Sequence, residues 1–156
     1  MNPVIGIGII GFNAIGRSLF DATEISAFAR TLCVKKAEIE IFVSKRNVPF
    51  VAKNEDVFSC PEVEVVVALE AFLAPDIMSL VALSQKESKP LVLTTLGLPN
   101  DFKKSLKALA TKAPLYDLVL SRIPYGSSVS SKIAAMALRA VRVARQTPPA
   151  YIAYHP

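Results

Sequence analysis

The chain is poor in the residues that carry metal and acid–base chemistry. Of its 156 residues one is a histidine, His155, two are cysteines, Cys33 and Cys60, and none is tryptophan. One histidine and two widely separated thiols make a poor tetrahedral set, so no metal site is expected, and both cysteines read as small buried hydrophobes. A lone imidazole beside the end of the sequence is a weak candidate for catalysis, so no catalytic residue is assigned. No apolar run approaches the roughly 20 residues that a membrane-spanning helix needs. The opening Met-Asn-Pro-Val-Ile-Gly lacks a basic n-region, so the expectation is a cytoplasmic chain with no signal peptide and no membrane partner. Charge of one sign is not massed either. Eighteen Lys and Arg against thirteen Asp and Glu give a net charge of +5, spread along the sequence, which suits an anionic ligand without calling for nucleic acid. Arg139, Arg142 and Arg145 fall in the last turns of a candidate helix, where cations complement its dipole.

What is present is hydrophobic: 52% of residues, enough to build one large core without staples. Apolar runs of strand length, rich in Val, Ile and Leu, stand at residues 4–10, 38–43, 63–69, 90–95, 117–123 and 150–154. Segments of helical length separate them at 14–30, 75–87, 100–112 and 128–146. Between 44 and 62 the pattern breaks, leaving a short strand or turn at 50–52 and a helical turn at 56–59. Alternating strands and helices, with strands apolar throughout, predict an α/β fold: a Rossmann-type doubly wound parallel sheet in a single three-layer domain.

Four of the six glycines lie in the first 16 residues. Gly6, Gly8 and Gly11 match G-x-G-x-x-G literally, but that register leaves no strand in front of it, and the motif must follow a strand and open a helix. The better register begins at the end of the first run: Gly11-Phe12-Asn13-Ala14-Ile15-Gly16. There Gly11 makes the tight turn, and Gly16 allows close helix–strand packing. Asn13 stands where a second glycine normally lets the backbone approach a pyrophosphate. Free N–H groups at the following helix start suit a phosphate. After the run 38–43 come Ser44, Lys45 and Arg46, where an acid would hold the ribose of NAD. Two cations and a hydroxyl suit a 2′-phosphate instead. The expected ligand is NADP(H) by preference, with NAD(H) as the alternative.

The opening IGIIGFNAIGRSLFDA, with VEVVVALEAF, KPLVLTTLGLPNDFKKSLKALATKAP and LVLSRIPYGSSVSSKIAAMALRAV, resembles the first domain of dihydrodipicolinate reductase, the NAD(P)H enzyme of lysine biosynthesis. Aspartate dehydrogenase has a similar first domain. The family carries D-F-T, G-T-T-G and N-F-S-x-G-V-N loops. Glu70-Ala71-Phe72 keeps the acid of the first. Thr94-Thr95-Leu96-Gly97 keeps one threonine and the last glycine of the second, and Gly126 remains of the third. The resemblance implies that Glu70, Thr94, Thr95 and Gly97 lie on the nicotinamide side. In the family a second domain with a His-His and Lys motif holds the substrate, whereas this sequence stops at His155-Pro156. The expectation is therefore a cofactor half without its substrate domain, incomplete as a catalyst alone, whose partners are the dinucleotide and either further copies of itself or a separate substrate domain. A non-catalytic protein that senses the dinucleotide or binds a partner is the other reading.

The glycine turn gives a first test. Gly16→Val should abolish dinucleotide binding, because the branched side chain pushes the helix off the first strand. Asn13→Gly should bind NADPH as well or better by titration calorimetry, and a clear loss would make the asparagine amide a ligand.

Overall fold

The computed structural model describes residues 5–11, 18–19, 29–35, 50–51, 53–69, 73–95, 98–119 and 129–154. Seven strands form one sheet: β1 (Ile5–Ile10), β2 (Ala29–Lys35), β3 (Phe50–Val51), β4 (Val65–Ala68), β5 (Leu91–Leu93), β6 (Leu115–Leu118) and β7 (Tyr151–Tyr154). Every neighbouring pair is parallel, in the order β3-β2-β1-β4-β5-β6-β7. Four described helices accompany it: α1 (Asn54–Ser59), α2 (Ala74–Glu87), α3 (Asn100–Leu109) and α4 (Val129–Ala144). Ser18 and Leu19 are also helical. This is the doubly wound α/β architecture that the alternating pattern predicts.

Parallel strands covered on both faces must be apolar at consecutive positions, and their side chains alternate between two core halves. Ile5, Ile7, Ile9, Val65, Val67, Val92, Tyr116 and Leu118 pack with Leu19 and with α4. Ile10, Val66, Ala68, Leu91, Leu93 and Leu115 pack with Val57 and Phe58 of α1, Ile77, Leu80 and Val81 of α2, and Leu106 of α3. Three layers result. Helix α4 presents Ala134, Ala137, Ala140 and Ala144 to the sheet, all buried, and these small side chains let it lie close.

The second strand departs from the expectation. Ala29 and Arg30, expected to end a helix, open β2, and β2 rather than 38–43 is the strand beside β1. The β-branched and short side chains of Thr31, Cys33 and Val34 suit a strand, and no apolar stripe at helical spacing opposed them after Phe28. Residues 38–43 lie outside the described residues. A bulge accompanies the pairing: Ile5 faces Ala29 and Gly6 faces Thr31, so Arg30 is the extra residue. Of the helix expected at 14–30, only Ser18 and Leu19 lie among the described residues before β2. The other described elements fall within a few residues of their expected places, including β3 and α1 in the broken stretch 44–62. The largest other shifts are α3, which stops at Leu109, and β6, which begins at Leu115 rather than 117.

The amino ends of the strands are tied by polar contacts. Glu64 accepts the Gly6 N–H at 2.9 Å and lies 3.5 Å from Arg145. Lys89 Nζ donates to the Cys60 carbonyl at 2.7 Å. Gln85, in the last turn of α2, accepts three successive backbone N–H groups, those of Thr111, Lys112 and Ala113, on its one amide oxygen at 3.1, 2.7 and 3.1 Å. Its amide nitrogen donates to the Ala113 carbonyl at 3.0 Å.

The literal glycine motif has a packing explanation. A Cβ on Gly6 would lie 1.8 Å from the Glu62 carbonyl oxygen, and one on Gly8 would lie 2.5 Å from Val57 Cγ1. Both glycines sit inside β1, where they let the segment entering β4 and helix α1 press against the strand. Gly6→Ala meets backbone and should cost about 3 kcal/mol or more, whereas Gly8→Ala meets a side chain and should cost about 1–3 kcal/mol. Urea unfolding at unchanged m-value measures both. A smaller cost at Gly6 than at Gly8 would contradict this account.

Candidate functional site

The strand order marks a candidate position for a site before any side chain is considered. From β1 the chain runs outward to β2 and β3, then returns to β4 on the other side of β1 and continues to β7. In open parallel sheets, ligands bind beyond the carboxyl ends of the strands where the order reverses. That point lies between β1 and β4. Ile10 pairs with Ala68, Ala68 with Leu93, and Leu93 with Asp117. The residues leading out at this level are therefore Gly11, Leu69 and Thr94.

Gly11 leaves β1 buried and at φ 89°, a left-handed conformation that glycine adopts without steric cost. A positive φ is the conformation that a tight turn asks of its first glycine. Phe12, Asn13, Ala14, Ile15 and Gly16 lie outside the described residues. So do Ser44, Lys45, Arg46, Glu70 and Gly97. The first three were assigned because they follow the run 38–43. The residue at the carboxyl end of β2, the strand beside β1, is instead Lys35, paired with Val51 of β3. Lys36 follows it in the sequence, and no acid appears before Glu38.

Thr94 and Thr95 are described and buried. Thr94 Oγ1 donates to the Leu118 carbonyl at 3.4 Å. Thr95 is held more firmly. Its N–H donates to Asp117 Oδ1 at 3.1 Å, and its hydroxyl donates to Asp117 Oδ2 at 2.6 Å. Tyr151, at the start of β7, donates its hydroxyl to the same Oδ2. Asp117 is only 2% exposed, on the face of the sheet that packs on α2 and α3. Both oxygens of the carboxylate are thus satisfied, as a buried charge requires. Burial raises the pKa of the Tyr151 phenol above its ordinary value, and the hydrogen bond to Asp117 and the carboxylate's charge raise it further.

A strand expected at 117–123 makes Asp117 a residue of its entrance, and that placement conceals the contact with Tyr151. The signal was present: one acid inside the apolar run Leu115-Tyr116-Asp117-Leu118-Val119-Leu120 is costly unless it is held.

No known protein-family model matches the chain, and no curated protein sequence matches it. Solved structures do. Dihydrodipicolinate reductase from Paenisporosarcina sp. TG-14, in a dipicolinate-bound structure, superposes with a TM-score of 0.60 at 13% identity, covering 74% of this chain and 47% of that one. Homoserine dehydrogenase from S. aureus gives 0.58 at 12% identity, covering 74% and 32%. A Bacillus subtilis protein provisionally described as an oxidoreductase gives 0.58 at 14% identity, covering 75% and 35%. The chain spans less than half the length of each. At these identities the likeness is one of fold. It is shared by different oxidoreductases and does not single out the reductase. No described helix is long and apolar enough to cross a membrane.

The Asp117–Tyr151 contact has a pH consequence. The folded state keeps the phenol protonated above the pH at which the unfolded chain releases that proton. The contribution is complete below about pH 10, the unfolded phenol's pKa, and stability falls as pH rises beyond it. Tyr151→Phe should remove that part of the slope. Urea unfolding of both proteins between pH 8 and 12 reads the difference, and parallel slopes would show that the phenol is not held.

Proposed function

We propose that the chain is the NAD(P)(H)-binding domain of an oxidoreductase. The observation that carries this reading is Gly11: a buried glycine with positive φ ends the central strand beside the reversal of strand order, and the sequence continues to Gly16 with dinucleotide-motif spacing. The fold likeness to several oxidoreductases supports the same reading. In it, the backbone from Gly11 to Gly16 receives the pyrophosphate at a helix start, where unpaired N–H groups favour negative charge. Glu70 and the segment Thr94 to Gly97 border the nicotinamide, as the resemblance to dihydrodipicolinate reductase implies.

A bound dinucleotide supplies the hydride. The chain's own part is to hold and orient it, and to keep its reactive face toward whatever brings the substrate. Reduction of a lysine-pathway dicarboxylate is the substrate assignment that the resemblance favours. In the reductase family the groups that hold that substrate belong to a second domain.

The cofactor preference follows from the end of β2. With Lys35 there and Lys36 next, a 2′-phosphate meets cations where the ribose hydroxyl of NAD would seek an acid. NADPH should bind more tightly than NADH by at least about tenfold, or roughly 1.4 kcal/mol. Calorimetric titration of both at low salt tests it, and the preference should shrink at high salt. Loss of the preference in Lys35→Ala with Lys36→Ala places the phosphate at the end of β2, and loss in Arg46→Ala places it at the loop first assigned. Equal affinities in the wild type would remove the preference, and binding of neither would remove the domain assignment.

A further inference from the structure

The buried Asp117 needs a reason. Leu91, Leu93 and Leu115 occupy the same face of the sheet and are apolar, and replacing a buried charge with a fitting apolar group is often neutral or stabilising. What a carboxylate supplies, and a leucine cannot, is direction. Asp117 takes both donors of a single residue, the N–H and the hydroxyl of Thr95, which fixes that residue's backbone and side chain together. Tyr151 holds the carboxylate from the other side, so the arrangement ties β5, β6 and β7 at one point. Its effect passes onward: the Thr95 carbonyl accepts the Leu98 N–H at 2.9 Å, and Pro99 takes the N-cap position of α3. The acid on the neighbouring strand therefore holds the residue to which Leu98, just before α3, is tied.

We propose that Asp117 is a positioning residue for the cofactor site: by holding Thr95, with Tyr151 as its second support, it fixes the wall beyond β5 against which the nicotinamide half of the dinucleotide lies. This rests on the dinucleotide reading above. The adenine half, carried by the turn after β1 and the end of β2, is independent of the clamp. Weakening the clamp should therefore separate the two halves of one ligand, which a general loss of stability cannot do.

The test uses the full chain, NADPH, and 2′-phospho-ADP-ribose, a fragment without the nicotinamide. Thr95→Val removes the hydroxyl at nearly constant shape. It should weaken NADPH by about tenfold while changing the fragment by less than about twofold, and Thr95→Ser should restore NADPH affinity. Tyr151→Phe, which leaves both Thr95 bonds in place, should give a smaller loss of the same kind. This variant keeps the test decisive if Thr95→Val does not fold. Equal losses for both ligands, or no loss for either, would overturn the positioning role while leaving the dinucleotide reading intact. A wild-type chain that binds neither ligand would overturn both.

Discussion

The arrangement depends on one steric constraint, the closeness with which the layers approach β1. A central parallel strand has no solvent face, so whatever covers it must come within contact distance on both sides. On one side Ile5, Ile7 and Ile9 share a core with Leu19 and with α4, whose alanines at Ala134, Ala137, Ala140 and Ala144 let it lie close over β4, β5 and β6. On the other the strand itself gives way: Gly6 and Gly8 have no side chains, and the Glu62–Val63 segment and Val57 occupy the space. The extra residue at Arg30 lets β2 follow the strand so formed. With β1 fixed at this depth, Gly11 emerges at the boundary between the outward and returning halves of the sheet.

Much of this was legible in the sequence. Continuous Val, Ile and Leu runs separated by helix-length segments specify strands buried on both faces, and they located β1, β4, β5, β7 and the long helices closely. The register starting at Gly11 follows from the need for a strand in front of the turn, and β1 at Ile5–Ile10 is that strand. The misplaced element was β2. The run Glu38 to Val43 alternates charge and apolar residues more regularly than Ala29 to Lys35 does, and alternation is the stronger local signal. Pairing with β1, a long-range contact, decided for the less regular segment. The strand beside β1 therefore ends at Lys35, with Lys36 next in the sequence, and Lys45 and Arg46 lie outside the described residues.

The candidate site was legible only in outline for a related reason. Glycines announce a turn through their own chemistry, but Asp117 acquires its role from Thr95 and Tyr151, which lie on two other strands. No local pattern states which donors will meet a carboxylate across a sheet. A two-residue error in the start of β6 was enough to turn the most constrained acid of the described core into an unremarkable strand opening.

The amide of Gln85 has a consequence for where the molecule can engage a ligand at all. Three consecutive N–H groups converging on one point form a cradle of the kind that elsewhere receives phosphate or sulfate. Here α2 inserts a neutral oxygen from its own last turn, so the turn before β6 is supplied with an internal guest. The other end of the sheet is furnished differently, with β1 followed by a buried glycine of positive φ. The two ends thus contrast: the turn before β6 is satisfied from within by a side chain, and the exit from β1 is shaped by the lack of one.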